Sequence, residues 1–375
     1  MRIGIDIRCL MNSNYSGVGW YAYNVLENLF RIDTENKYVL FYNSSKEVKL
    51  PEFKGKNITF RGFRYPNKLF SILNYLNLVN LDKMIGVVDV FWSPNLNFIS
   101  WSKKGRKILT IHDLSFLIFP EFFPLKTLWW HKLIINKIIN KVDIIITDSQ
   151  STKLDLIKLL KVSAEKIKVV YLGVSESYRV LSPSPLQGEG WGGVNDLLLV
   201  KQKYNLPDKF IFYVGALEPR KNIESIIEAF KMLGGDESLV IAGTPGWKNE
   251  KIYELAKGDE RIKFLGYVRE EDKPALYNLA SMLAYPSHYE GFGLPLIEAM
   301  ACGCPVIAGA NSSQLEVVGE AGLLVDPNNL NEIKFAMTAM IGDNELRNKY
   351  IELGLARAKE FSWEKTAREI LENFN

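Results

Sequence analysis

The sequence predicts an α/β fold made of two domains, each a mostly parallel sheet with helices on both faces. Three observations predict it. Short Val/Ile-rich runs, too continuous for strands with one wet face, alternate with helix-length segments through both halves of the chain. The length of 375 residues suits two domains, and a 47% hydrophobic content is enough to fill two cores. Near the middle, residues 181–195 are rich in Pro, Gly and Ser and carry no periodicity, which marks a flexible connector or insertion. The expected division is 1–180, a linker over 181–195, and 196–359.

Taken in order, residues 1–7 form a strand with Ile3, Ile5 and Ile7 alternating. A polar loop carrying Gly17 and Gly19 follows, then a helix from about Trp20 to Phe30. That loop is either a tight turn or a place where backbone N–H groups approach a ligand. It has neither the dinucleotide glycine spacing nor the Lys-Ser/Thr of a P-loop. Strands are expected over 38–42, 58–63, 87–92, 107–111, 142–147 and 167–172, and helices near 69–80, 124–140 and 151–160. In the second half, strands are expected over 210–214, 239–242, 262–265, 282–285, 306–308 and 323–325. Helices there cover 222–233 and 273–280, and the chain closes with helices near 344–361 and 364–373.

Composition narrows the chemistry. Cys9, Cys302 and Cys304 are too few for a disulfide framework and lack companion zinc ligands, so they read as buried thiols of a reducing compartment. The first residues lack the apolar core of a signal peptide, and no run is long enough to span a bilayer, so a cytoplasmic location is expected. The net charge of +3 hides an asymmetry: residues 1–170 hold 25 Lys/Arg against 14 Asp/Glu, and the remainder is acidic. Without any nucleic-acid-binding signature, nucleic acid is not expected as a partner. The basic half reads either as ordinary solvated lysines or as a face for an anionic membrane surface, with Lys103, Lys104, Arg106 and Lys107 beside Trp101 as the contact.

Three places carry the candidate chemistry. In the first half, His112 and Asp113 follow the buried run 108–111, at the carboxyl edge where parallel sheets bind ligands. His112 is either a satisfied loop histidine or a group that hydrogen-bonds a sugar hydroxyl or moves protons near neutral pH. Asp148 or Ser149 caps the next helix and reads as structural. In the second half, the strand 210–214 runs into Gly215 and then a turn with Arg220 and Lys221. Two adjacent cations on a sheet edge, next to a helix start, suit an anion such as a diphosphate leaving group. Third, Glu290 precedes Gly291, Phe292 and Gly293, and a helix from Leu294 carries Glu298. The glycines allow close backbone approach, and the helix start offers unpaired N–H groups.

Glu290 and Glu298 with the residues between them resemble the E-x7-E motif of family 4 (group 1) glycosyltransferases. Ser16-Gly-Val-Gly19, Thr110 to Ser115, Gly215 to Asn222, Ala299 to Val306 and Phe361-Ser-Trp363 are similar to that family too, nearest its bacterial mannosyltransferase-like branch. The resemblance implies a GT-B fold: two Rossmann-like domains facing a central cleft, with a last helix over about 360–375 crossing back to the first domain. It implies a hexose, most simply mannose from GDP-mannose, transferred with retention to a saccharide or lipid-linked acceptor at the inner face of the membrane, with no required metal or cofactor. Arg220 and Lys221 would hold the diphosphate, Glu298 the ribose, and Glu290 with the Gly291–Gly293 backbone the donor sugar. Gly17, Gly215, Phe292 and Leu294 would border the donor, Gly17 and His112 would close the site from the acceptor side, and Glu290, His112, Arg220 and Lys221 would be the catalytic set. The alternatives are a nucleotide-sugar-binding protein without transfer activity and a nucleotide-sugar epimerase.

Overall fold

The computed structural model describes residues 1–11, 15–97, 99–102, 104–181 and 194–375, with the side chains of 194 and 195 left aside. Most of the 181–195 connector, Lys103 and the polar residues 12–14 therefore lie outside the described residues. The chain divides into two compact units. One comprises Met1–Ile118, Leu125–Gly173 and Ser362–Asn375, the other Phe119–Pro124 and Val174–Phe361. The first long boundary thus falls at Gly173/Val174 rather than near 180.

Among its described residues the first unit holds strands β1 (Arg2–Asp6), β2 (Lys37–Asn43), β3 (Ile58–Phe63), β4 (Val90–Ser93), β5 (Arg106–Ile111), β6 (Ile144–Thr147) and β7 (Ile167–Val169). All pair in parallel, in the order β3-β2-β1-β4-β5-β6-β7. The second unit repeats the plan with β8 (Phe210–Val214), β9 (Ser238–Ala242), β10 (Ile262–Gly266), β11 (Met282–Tyr285), β12 (Val306–Gly309) and β13 (Leu323–Val325). Their order is β10-β9-β8-β11-β12-β13, again parallel throughout. The central strands are buried on both faces, which is why they read as unbroken apolar runs. In each sheet the order reverses beside the first strand, between β1 and β4 and between β8 and β11. These are the topological switch points where open α/β sheets offer a crevice at their carboxyl ends.

Several expectations are corrected. The helix expected from Trp20 starts at Gly17 and runs Gly17–Ile32, so Gly17 and Gly19 sit in its first turn and not in a loop. Tyr15 folds over that turn: a Cβ on Gly19 would lie 2.9 Å from the Tyr15 Cβ, whereas Gly17 has open space around it. The helix expected near 69–80 is Asn67–Tyr75, because the backbone turns left-handed at Asn77, with φ of 55°, before a separate short helix Leu81–Met84. The proposed basic contact is also dispersed. Trp101 packs half-buried against the cluster that includes Phe41, Phe70 and Phe91. Arg106 donates to the Asn375 backbone carbonyl, and the mostly covered Lys107 lies 3.8 Å from Asp143. That stretch leads into β5, so Arg106 and Lys107 are partly covered while Lys104 stays exposed.

The last helix, Trp363–Glu372, completes the first unit. Ser362 caps it, accepting from the Lys365 N–H, and Trp363, Ala367 and Ile370 turn inward. Trp363 meets the Tyr21 ring of the Gly17–Ile32 helix at 6.4 Å, Thr366 donates to the Tyr171 carbonyl at 2.8 Å, and Arg31 pairs with Glu364 at 3.0 Å. Gly173 is required by this packing, since a Cβ there would lie 2.1 Å from the Trp363 nitrogen.

Candidate active site

At the β8/β11 switch point the second unit gathers a buried charge network. After β8 the chain passes Gly215, whose φ of 154° is a glycine conformation, and makes a short 3-10 turn at Pro219–Lys221. Gly243, after β9, has to be glycine for the same reason: a Cβ on it would fall 1.8 Å from the Gly215 oxygen. The turn aims Arg220 and Lys221 at the loop that follows β11. Lys221 Nζ donates to both Glu290 carboxylate oxygens, at 2.7 and 2.9 Å, and to the Tyr285 hydroxyl at 2.7 Å. Arg220 reaches Glu290 at 3.2 Å, the Tyr289 carbonyl at 2.9 Å and Glu218 at 2.8 Å.

Glu290 and Tyr285 are buried and the Lys221 side chain is only 11% exposed, so these charges feel little solvent screening. Burial alone would push the Glu290 carboxyl up, but the adjacent Lys221 and Arg220 outweigh it and hold the group below its ordinary 4.5. The Lys221 ammonium moves down, chiefly through burial, with Glu290 opposing and Arg220 adding to the drop. Glu290 is therefore an ionised acceptor that fixes two cations.

Loop geometry comes from side chains further along. Asn222, left-handed at φ of 57°, donates to the Pro286 and Pro327 carbonyls at 2.9 and 2.7 Å, so one amide ties the loops after β8, β11 and β13. Gln314 donates to the Ser287 carbonyl and accepts from the Gly309 N–H, both at 2.9 Å. Ser313 Oγ stands 2.9 Å from the Glu290 and Phe292 carbonyls. Gly293, at φ of 98°, then opens the Leu294–Ala301 helix with Pro295 in its first turn, where no backbone donor is needed. Gly291 and Phe292 are buried in this turn, and Leu294 is partly covered.

Glu298 belongs to a second cluster. Its Oε2 accepts from the Tyr277 hydroxyl at 2.7 Å and lies 3.9 Å from Lys273, which pairs with Glu270 at 2.7 Å. The Tyr178 hydroxyl donates to Glu270. Burial raises the Glu298 carboxyl above its ordinary range; Lys273 works against that and Glu270 reinforces it. The two glutamates thus have different partners and opposite shifts.

In the first unit, His112 follows β5 as expected, but both ring nitrogens are engaged. Nδ1 is 2.5 Å from Asp148 and Nε2 is 2.9 Å from the Pro94 carbonyl. A carbonyl can only accept, so Nε2 carries the proton there. Burial would lower the His112 pKa, but Asp148 overcomes it and the net shift is upward. Ser149, not Asp148, caps the Gln150–Leu160 helix by accepting from the Thr152 N–H. Asp148 is the carboxylate that orients His112.

The structure thus joins Arg220, Lys221 and Glu290 directly, places Gly215 and the Gly291–Gly293 turn on the same sheet edge, and sets Glu298 in a neighbouring cluster of the same unit. Gly17 and His112 are in the other unit. Sequence reading did not single out Glu218, Tyr285, Lys273 or Tyr277 as partners, although Tyr285 begins the glycine-turn stretch. Among the described residues, no group of three or more His, Cys, Asp or Glu is arranged to hold a metal ion.

Comparison with known proteins agrees with this architecture. The family model for glycosyl transferases group 1 matches residues 197–357, and the model for glycosyltransferase family 4 matches residues 15–178. Over 366 residues, 93% of each chain, the sequence is 33% identical to O-antigen chain mannosyltransferase B of Escherichia coli. It is 28% identical over 280 residues to the serotype-specific mannosyltransferase WbdA of E. coli, spanning only 33% of that protein's length. The fold matches sucrose-phosphate synthase from Thermosynechococcus elongatus with a TM-score of 0.78 at 20% identity, covering 100% of this chain and 98% of that one. Two parallel-sheet, Rossmann-like domains of the GT-B type, both family models and near full-length similarity lead to one conclusion: the chain is a glycosyltransferase of family 4, group 1.

Proposed function

We propose that the enzyme transfers mannose from GDP-mannose, with retention of anomeric configuration, to a saccharide or lipid-linked saccharide acceptor in cell-surface polysaccharide synthesis. It would work in the cytoplasm, at the inner face of the membrane. The observation that carries the reading is the Arg220–Lys221 pair at the carboxyl end of β8, locked to the loop that leads into the Leu294–Ala301 helix. Two cations and a helix N-terminus on one sheet edge suit a sugar diphosphate. The mannose assignment is supported by the name of the E. coli relative that matches along 93% of the chain.

In this reading the bond between the anomeric carbon and the diphosphate oxygen breaks as the acceptor hydroxyl adds from the same face. The hydroxyl proton passes to the departing phosphate. Arg220 and Lys221 stabilise the charge that grows on the leaving group. Glu290, ionised and bound to both cations, keeps them aimed and has no free role as a nucleophile. Glu298 would receive the ribose hydroxyls, and the backbone of Gly291–Gly293 the sugar.

Purified enzyme is incubated with a saccharide acceptor and GDP-mannose or, separately, uridine-diphosphate hexoses, reading nucleoside diphosphate release and the anomeric configuration of the new glycosidic bond by NMR. Release from GDP-mannose alone with a retained product is expected; preference for a uridine donor or an inverted product overturns the corresponding part. Arg220→Ala should lower kcat about 10²–10³-fold, by analogy with loss of an oxyanion donor. Unchanged turnover would refute its role.

A further inference from the structure

The first unit carries an exposed apolar surface that its own core leaves over. In the helix Leu125–Ile138, the residues Leu128, Ile134, Ile135 and Ile138 are buried and fix that face to the unit. The other face should then be polar. Instead Leu125 is 83% exposed, Trp129 66% and Trp130 44%. A second such face lies beside it. The helix Asn67–Tyr75 buries Phe70 and Asn74 but leaves Leu69 and Ile72 exposed, and Leu76 just beyond it likewise. The two meet where Lys137 Nζ sits 4.0 Å from the centre of the Tyr75 ring and Lys141 donates to Asn77 at 3.3 Å. Trp130 is seven residues before Lys137, hence on the same helical stripe that faces Tyr75. The two helices therefore meet at this end, and their exposed side chains belong to neighbouring faces of the same unit.

Its charge is one-signed. Residues 53–81 contain five Lys/Arg and no Asp or Glu; residues 125–142 contain four lysines and again no acid. Lys126, Lys132, Lys141 and Lys68 are exposed around the apolar residues. Interfaces between proteins favour Trp but are depleted in Lys. Paired tryptophans among aliphatic side chains, rimmed by long lysines whose heads can stay in water, are instead the composition of a surface lying in a headgroup layer. Among the described residues no helix is long and apolar enough to cross a membrane, so contact would be peripheral.

We propose that this two-helix surface docks the enzyme on an anionic lipid bilayer, with Trp129 and Trp130 inserted at headgroup depth and the lysines paired with lipid phosphates. It replaces the Lys104–Lys107 stretch as the contact, because the aromatic expected to insert there, Trp101, packs half-buried against the core cluster. The inference does not rest on the donor or acceptor proposed above, and its test contains no nucleotide sugar, so either can fail alone.

Full-length enzyme is floated with vesicles of phosphatidylcholine, with and without phosphatidylglycerol. Binding to the anionic vesicles only is expected. Replacing Lys126 and Lys132 with Glu should weaken it by at least roughly fivefold per lysine. The double variant Trp129→Ser, Trp130→Ser should lose binding while keeping the circular dichroism melt of the parent, since both side chains are exposed. Tryptophan emission should be quenched by lipids brominated on their acyl chains, and that quenching should vanish in the double variant. Equal binding to neutral vesicles, or no quenching, would overturn the proposal. So would tryptophan variants that turn a sedimenting dimer into a monomer without changing flotation, because the surface would then join two copies of the chain.

Discussion

Replacing Glu290 with Gln keeps the shape of the side chain and removes its charge, and the structure sets both the size and the pH dependence of the result. Glu290 accepts three charged hydrogen bonds, two from Lys221 and one from Arg220, in a buried setting. Removing one partner of a buried ion pair typically costs about 3–5 kcal/mol, because the cations are left uncompensated. Glu218 still faces Arg220, which points to the lower end, about 3 kcal/mol. For a unit of this size that is a fall in Tm of roughly 6–12 °C. The pH dependence follows from the depressed carboxyl. Its stabilising contribution is complete above the unfolded value near 4.5 and is lost as pH falls through the lower folded value. The gap between parent and variant should therefore be full at neutral pH and shrink once the solution is more acid than about 4.5. Thermal melts of both proteins across that range make the comparison. A variant as stable as its parent at neutral pH, or a gap that stays constant on acidification, would refute the ion-pair account.

Other residues give separate tests. Asn222→Ala removes the amide shared by the Pro286 and Pro327 carbonyls and leaves a left-handed backbone on a residue that disfavours it, so a loss of about 2–4 kcal/mol is expected in urea unfolding. Asn222→Gly relieves the backbone and should recover part of that loss; identical losses for Ala and Gly would rule out the backbone share. NMR titration of His112 should show a midpoint above 6.5 that drops in Asp148→Asn, since the carboxylate is what raises it. The stability this pair supplies is present below 6.5 and fades as pH rises through the folded midpoint. An unmoved midpoint in Asp148→Asn would break the assignment of Asp148 as the orienting group.

The strands and their parallel pairing were legible because buried strands demand continuous Val/Ile runs, and chain reversals there demand glycine or asparagine. Arg220, Lys221 and Glu290 were legible as candidates for a similar reason, being charges placed directly after such runs. Their mutual pairing was not. Residues 220 and 290 come together only because β8 and β11 are neighbours in the sheet though not in sequence. Tyr285 and Tyr277 were not singled out, since nothing in a sequence tells which phenol will face a charge. The boundary of the Gly17 helix was missed because glycine is a poor helix former, and the covering Tyr15 ring belongs to tertiary packing. Lys104 to Lys107 misled for the opposite reason, because local charge density carries no information about what the same residues do in a strand.

The last helix has a consequence for the order of folding. The first unit is finished by residues 362–375, which are synthesised after the whole of the second unit. Until they are made, Tyr21 and Trp92 lack the covers that Trp363 and Phe374 provide, at ring separations of 6.4 and 5.8 Å. Domains usually mature in the order they leave the ribosome. Here the one begun first is completed last, so the nascent chain carries an unsealed aromatic seam for most of its synthesis, a natural place for a chaperone to hold.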